Sequence, residues 1–174
     1  NYTSTRGGTQ ACAAQAIAYG IAPDGGLYTP TSIPVLSPEE LSGLARLSYS
    51  ELTADILARF MDGFTREELL GFAQQAYDSG RFLRPGTESR EAVGLSALGK
   101  NEQLLELYFG PTAAFKDMAL QIMPRLLTAS LKKLGEQRTV CILVATSGDT
   151  GKAALEGFRD VEGTRIGVYF PDEG

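Results

Sequence analysis

One lysine stands in a segment whose residue types suit amine chemistry. Lys116 ends the run Gly110-Pro111-Thr112-Ala113-Ala114-Phe115-Lys116, so it follows a Gly-Pro turn and lies near the predicted start of a helix. Apolar neighbours and the positive end of a helix dipole both disfavour the ammonium form of a lysine, and a neutral amine is nucleophilic towards an aldehyde. The pattern is compatible with an imine-forming lysine. The alternative, from the residues alone, is an ordinary solvated lysine in the first turn of a helix.

A second segment combines glycines with hydroxyl and carboxylate side chains. The apolar run 140–146 is followed by Ser147-Gly148-Asp149-Thr150-Gly151, which indicates a strand, a turn and the start of a helix. Free amides at a helix N-terminus bind carboxylate or phosphate, and glycines let the ligand approach the backbone. Alternatively, Asp149 or Thr150 serves only as a helix cap. A nucleotide phosphate loop is a weak alternative, because the first glycine and the Ser or Thr after the lysine are both missing.

Composition narrows the chemistry further. The 174 residues include no histidine, which removes His-based catalytic triads and His metal sites, and we predict no metal site. A net charge of -5 gives no general attraction to nucleic acid or an anionic membrane. No apolar stretch approaches the ~20 residues that span a bilayer. Cys12 and Cys141 are predicted to be reduced, with Cys141 buried in a strand. We therefore expect a cytoplasmic protein that acts on a small molecule.

The elements that position the two turns alternate between strand and helix. Strands are predicted over 103–109, 139–146 and 165–170. Helices are predicted over 115–134, with a kink at Pro124, and over 152–159. Such alternation implies right-handed crossovers and a mostly parallel sheet that binds ligands beyond the carboxyl ends of its strands. Both turns are expected at that edge.

The first half of the chain has a different, mainly helical pattern. A helix is predicted over 10–19, and Asp24-Gly25-Gly26 predicts a turn into a short strand over 27–30. Three capping boxes then predict three helix starts, and Pro38 suits a first helical position. The boxes are Ser37 with Glu40, Ser48 with Glu51, and Thr65 with Glu68. The buried stripe of these helices is predicted to contain Leu41, Leu44, Leu52, Ile56, Phe60, Leu69 and Phe72.

Three stretches, in order and spacing, resemble threonine synthases. They are Tyr2-Thr3-Ser4-Thr5-Arg6-Gly7 with the later Asp24-Gly25-Gly26-Leu27-Tyr28, the segment from Gly110 to Gln121, and the segment from Ala145 to Ala154. The lysine segment is the most specific of them. The resemblance implies a truncated α/β protein of the tryptophan-synthase-β-like class. Residues 1–95 would form a mainly helical domain with a short strand region, and residues 96–174 would form the first part of the cofactor-binding domain, with its mostly parallel, helix-flanked sheet.

The resemblance also implies a cofactor and a reaction. The cofactor would be pyridoxal 5'-phosphate, bound as an imine to Lys116, and the substrate would be O-phospho-L-homoserine, converted with water into L-threonine and phosphate. Lys116 would be the catalytic residue and would act as the base at Cα and Cβ. The cofactor-binding residues would be Lys116 with Phe115, Asp117, Ser147, Gly148, Asp149 and Thr150.

Two departures from the family pattern bear on these expectations. Phe109 stands where relatives often carry histidine, so a polar role at that position is not expected. Family members are also longer, and their clamp for the cofactor phosphate would follow residue 174. We therefore expect this chain alone neither to retain the cofactor stoichiometrically nor to turn over. Two alternatives to a threonine synthase are another pyridoxal-phosphate lyase, such as a serine or threonine dehydratase, and a non-catalytic phosphate-binding homologue.

Overall fold

The computed structural model describes residues 1–84, 86, 91–146 and 148–172. The chain forms two compact units, one made of Asn1–Ala73 with Arg125–Gln137 and one made of Gln74–Pro124 with Arg138–Gly174. The division into domains after residue 95 stays a prediction.

A small antiparallel sheet opens the first unit. Strand β1 (Tyr2–Ser4) lies between β2 (Gln10–Ala11) and β3 (Tyr28–Pro30). The predicted turn precedes β3, where Asp24 Oδ1 accepts hydrogen bonds from Ser4 Oγ at 2.7 Å and from the amide of Gly26 at 2.9 Å. The helix predicted from residue 10 begins only at residue 13, because residues 10 and 11 pair with β1.

Four helices follow in the first unit. They are α1 (Ala13–Tyr19), α2 (Pro38–Leu44), α3 (Tyr49–Ala58) and α4 (Arg66–Ala73), and a π-helical turn over Gln74–Asp78 comes after α4. All three predicted capping boxes are confirmed, since in each the cap hydroxyl accepts from the third helical amide while the glutamate accepts from the cap amide. Pro38 occupies the first helical position as predicted. The prediction that Leu41 belongs to the buried stripe is wrong, because Leu41 is 53% exposed on the solvent side of α2.

The core of the first unit is built from small and apolar side chains of separate segments. It consists of Ala13, Ala14, Ala54, Met61, Phe64 and Leu69, with Leu126 and Ala129 packed against it. Asp62 closes the start of α1, since its Oδ1 accepts a hydrogen bond from the amide of Ala13 at 2.9 Å. A distant residue therefore satisfies one of the amides at the start of α1 that have no acceptor within the helix.

The second unit contains the predicted strand-helix-strand pattern. Strands β6 (Val140–Ala145) and β7 (Thr164–Tyr169) pair in parallel over their whole length and are connected by α7 (Asp149–Phe158). The predicted α/β fold class is thus confirmed. The strand predicted over 103–109 is shorter, and as β5 (Gln103–Glu106) it pairs antiparallel with β4 (Gly94–Ala97), a strand that the sequence analysis did not predict.

The long helix predicted over 115–134 is divided into α5 (Asp117–Leu120) and α6 (Met123–Lys133). Pro124 cannot donate a hydrogen bond to the carbonyl of Leu120, so the helical ladder is interrupted there. That carbonyl lies against α7 instead. A Cβ on Gly157 would lie 2.0 Å from the Leu120 oxygen, so only glycine permits this approach of the two segments.

Strand β6 is not buried on both faces. Its side chains alternate between half-buried and exposed, and the exposed set includes Cys141 and Leu143. The prediction that Cys141 is buried is therefore wrong, because α7 covers one face of the two-stranded sheet in the described residues. Both cysteines are free, as predicted. Among the described residues, no helix is long and apolar enough to cross a membrane.

Candidate active site

A buried carboxylate clamps the turn that carries the lysine. Asp117 is fully buried, and its Oδ2 accepts a hydrogen bond from the amide of Thr112 at 2.8 Å while its Oδ1 accepts one from Thr112 Oγ1 at 2.8 Å. Gly110 lies against the same side chain, and a Cβ there would be 2.5 Å from Asp117 Cβ. The start of α5 is thereby tied back to the start of the turn.

The backbone between the two ends of this clamp has an unusual conformation. Ala113 has a φ of 57°, in the left-handed region, and its amide donates a hydrogen bond to the carbonyl of Gly110 at 3.0 Å. This conformation costs a non-glycine residue about 1 kcal/mol or more, so the surrounding contacts must hold it. The clamp between Thr112 and Asp117 supplies such contacts on both sides of Ala113.

Lys116 is partly exposed at the N-cap position of α5. Its Nζ lies 4.3 Å from the centroid of the Phe115 ring, and that ring is 62% exposed. The neighbouring residue types predicted an apolar enclosure around the amine, but Phe115 does not form one. Its ring covers the amine on one side only, in a cation-π contact. The lysine side chain as a whole remains partly exposed.

The glycine turn presents the N-terminus of α7. Gly148 is the N-cap, with a backbone amide that donates to Thr146 Oγ1 at 3.3 Å, and no side chain caps the helix within the described residues. Asp149 and Thr150 occupy the first turn and are exposed, so the alternative that either is a helix cap is wrong. Ser147 lies outside the described residues.

Gly151 has a packing role in the same turn. A Cβ at this position would lie 2.3 Å from Thr146 Cγ2 and 3.0 Å from Val168 Cγ1. The glycine therefore lets the first turn of α7 lie directly against the carboxyl ends of β6 and β7. This is the edge of a parallel sheet at which ligands bind in α/β proteins.

The helices that follow the two turns pack against each other. Besides the contact of Leu120 with Gly157, Arg81 joins them, because its Nη1 donates to Gln121 Oε1 at 3.1 Å and to the carbonyl of Glu156 at 3.2 Å. Arg81 and Thr112 were missed in the sequence. The only available signal for Thr112 was a hydroxyl five residues before an acidic residue at a helix start, which is too common to single out one pair.

A surface cavity of about 530 Å³ lies elsewhere in the second unit. It is lined by Thr139 and residues 158–166, where β6 and β7 begin, so it is at the opposite end of these strands from the glycine turn. None of the predicted site residues lines it. The described residues also contain no group of three or more Asp, Glu or Cys side chains able to hold a metal ion.

Comparison with known proteins confirms the resemblance found in the sequence. Residues 1–77 match the family model described as the threonine synthase N terminus. The chain is 39% identical over 173 residues to threonine synthase of Pseudomonas aeruginosa and 38% identical over 173 residues to threonine synthase-like 2 of Rattus norvegicus, in both cases over 98% of this chain. It spans about a third of these relatives, 35% and 34% of their lengths.

A solved structure extends the similarity to the fold. The PLP-bound threonine synthase of Brucella melitensis matches 99% of this chain with a TM-score of 0.87 and 36% sequence identity, and the match covers 36% of that protein. The similarity therefore includes both the lysine turn and the glycine turn, not only the part of the chain that the family model matches.

Proposed function

We propose that this chain is the amino-terminal part of a pyridoxal-phosphate-dependent threonine synthase of the cytoplasm, which converts O-phospho-L-homoserine and water into L-threonine and phosphate. The observation that carries the proposal is the partly exposed Lys116 on a turn whose backbone is fixed by the contacts of Asp117 with Thr112. The similarity to threonine synthases over nearly the whole chain supports the choice of reaction.

The residues present fit two parts of the cofactor. The amine of Lys116 can condense with an aldehyde, and the exposed N-terminus of α7, with Gly148, Asp149 and Thr150, can donate to an anionic group. Ser147 belongs to the same proposed set. We assign Asp117 to fixing the turn rather than to direct contact, because both of its oxygens already accept hydrogen bonds from Thr112. Phe115 would cover one side of the amine.

The bound cofactor would supply an acceptor for the negative charge that develops when a proton leaves the substrate. Lys116 would perform the proton transfers when its amine is free, because Nζ sits on a flexible four-carbon stem that can reach neighbouring carbon atoms from one backbone position. The clamp on the turn would keep that backbone position constant. The amides at the start of α7 would hold an anionic group while these protons move.

The test uses the complete protein that contains this chain. Inorganic phosphate release from O-phospho-L-homoserine is measured for the wild type, for Lys116→Ala and for Lys152→Ala, the last being a matched change of an exposed lysine in α7. We expect the wild type and Lys152→Ala to release phosphate and Lys116→Ala to release none. Borohydride reduction with pyridoxal phosphate, followed by peptide mapping, should mark Lys116.

Phosphate release, together with a test for 2-oxo acid formation from serine and threonine, separates the alternatives. A serine or threonine dehydratase would form a 2-oxo acid from its amino acid and release no phosphate from phosphohomoserine. A non-catalytic phosphate-binding protein would do neither. A pyridoxyl label on another lysine, or unchanged phosphate release by Lys116→Ala, would contradict the proposal.

A further inference from the structure

A second buried carboxylate lies just before the lysine turn and was not singled out in the sequence. Glu106 is the last residue of β5 and is 8% exposed. Its Oε1 accepts hydrogen bonds from Ser96 Oγ at 2.8 Å and from the Tyr108 hydroxyl at 3.0 Å, and its Oε2 lies 3.1 Å from Arg84 Nη2. One carboxylate therefore connects β4, β5 and the segment that precedes β4. We call these four residues the Glu106 network.

The backbone opposite Glu106 leaves room for this carboxylate. Gly94 pairs with Glu106 in the register of β4 and β5, and a Cβ at Gly94 would lie 2.3 Å from Glu106 Oε2 and 3.0 Å from Phe109 Cε2. Any larger residue would displace either the carboxylate or the aromatic ring. The site is therefore built around both side chains.

The network continues into the residue that precedes the lysine turn. The guanidinium carbon of Arg84 lies 5.3 Å from the centroid of the Phe109 ring, and the amide of Leu83 donates a hydrogen bond to the Phe109 carbonyl at 3.0 Å. Phe109 is 6% exposed, and Gly110 follows it directly. Glu106 holds Arg84, and the segment 83–84 holds both the ring and the backbone of residue 109.

We propose that Glu106 is a positioning residue for Lys116, acting through Arg84 and Phe109 on the end of the turn that the Asp117 clamp does not fix. The inference rests on the proposed function of Lys116. It assigns to Glu106 no contact with substrate or cofactor. The two buried carboxylates then divide the work, since Glu106 fixes the entry to the turn at residue 109 and Asp117 fixes its exit into α5.

The first test measures the turn without any cofactor. Glu106→Gln keeps the shape of the side chain and can keep a hydrogen bond to each hydroxyl, but it removes the charge that faces Arg84. Glu162→Gln is the matched control, because Glu162 is an exposed glutamate of the same unit, in the segment between α7 and β7. We expect amide hydrogen exchange over residues 109–117 to rise roughly tenfold in Glu106→Gln, the effect of losing one charge-assisted hydrogen bond, and to be unchanged in Glu162→Gln. Equal exchange in the two variants would overturn the inference.

The second test reads the lysine itself in the complete protein with pyridoxal phosphate. Absorption of the lysine-bound cofactor is recorded for the wild type and the two variants, because the spectrum reports the geometry and hydrogen bonding around Nζ, which a general loss of stability below the unfolding transition would not change. We expect a shifted or weakened band for Glu106→Gln and the wild-type band for Glu162→Gln. An identical band in all three proteins would overturn the inference while leaving the proposed function intact. The lack of any band in the wild type would contradict the proposed function, and the exchange measurement would still report whether Glu106 fixes the turn.

Discussion

The clamp between Asp117 and Thr112 leads to a prediction about a single buried carboxylate. Asp117→Ala removes the acceptor of two hydrogen bonds, each 2.8 Å long. The amide and the hydroxyl of Thr112, a residue that is only 9% exposed, then lose their acceptor. A buried donor left unsatisfied costs about 1–3 kcal/mol, and a hydrogen bond to a charged group contributes about 1.5–3 kcal/mol. We expect Asp117→Ala to lower the free energy of unfolding by about 3 kcal/mol.

Asp117→Asn should behave differently because it keeps the volume and both contacts. The amide oxygen can accept from the Thr112 amide while its NH2 group donates to Thr112 Oγ1, since a hydroxyl has acceptor lone pairs. We expect a loss below about 1 kcal/mol for this variant. Urea unfolding followed by far-ultraviolet circular dichroism gives both values. Circular dichroism is used because the chain contains no tryptophan for a simple fluorescence assay.

Thr112→Val serves as the partner in a double-mutant cycle. Alone it should cost about 1 kcal/mol through the lost hydroxyl contact, and in the Asp117→Ala background its extra cost should be close to zero, because the acceptor is already absent. If Asp117→Asn is as damaging as Asp117→Ala, the charge and not the hydrogen bonding fixes the turn. If Asp117→Ala unfolds like the wild type, the clamp has no stabilising role.

Two other changes test the packing and the electrostatics of the second unit. Gly157→Ala places a Cβ 2.0 Å from the Leu120 oxygen and should cost about 1–3 kcal/mol in urea unfolding, whereas Gly43→Ala, with open space around it in α2, should be neutral or stabilising by about 0.5–1 kcal/mol; equal effects would refute the packing argument. The hydroxyls of Ser96 and Tyr108 and the charge of Arg84 hold the pKa of Glu106 below its ordinary value of 4.5. The stability that this carboxylate contributes is therefore present above that value and is lost as the pH falls through its lower folded pKa. The urea midpoint of the wild type should fall more steeply below pH 4.5 than that of Glu106→Gln, and parallel curves would contradict this assignment.

Features whose physics is local were predictable from the sequence. The three capping boxes each depend on residues three positions apart, and the parallel pairing of β6 with β7 follows from an apolar strand, a helix and a second strand. The break after Leu120 was predicted only as a kink. The full separation of α5 from α6 depends on Gly157, which lies far along the chain. Because Gly157 has no Cβ, the Leu120 carbonyl can lie directly against its backbone.

Features that depend on distant partners could not be predicted. The hairpin of β4 and β5 was missed because Gly94 weakens the strand pattern. Position 94 requires glycine because the Glu106 carboxylate occupies the space that a Cβ would take. The burial of Cys141 was predicted from its apolar neighbours, but an apolar strand in a two-stranded sheet with one helix layer keeps one face exposed. Sequence patterns describe a strand and not the layers around it.

The lysine turn inverts the usual relation between residue type and burial. Asp117 is fully buried, while the adjacent segment carries Phe115 at 62% exposure and a partly exposed Lys116. Apolar side chains are normally buried and carboxylates exposed, so this arrangement is stable only because Thr112 satisfies the carboxylate from within the turn. Folding stability alone would favour an apolar residue at position 117 and a carboxylate at position 115. A local conflict of this kind is expected where a surface has a function, and it supports the proposal that the side of the turn with Phe115 and Lys116 meets a ligand. The same inversion explains why the surroundings of Lys116 could not be predicted from the sequence, because residue type alone would place Asp117 outside and Phe115 inside.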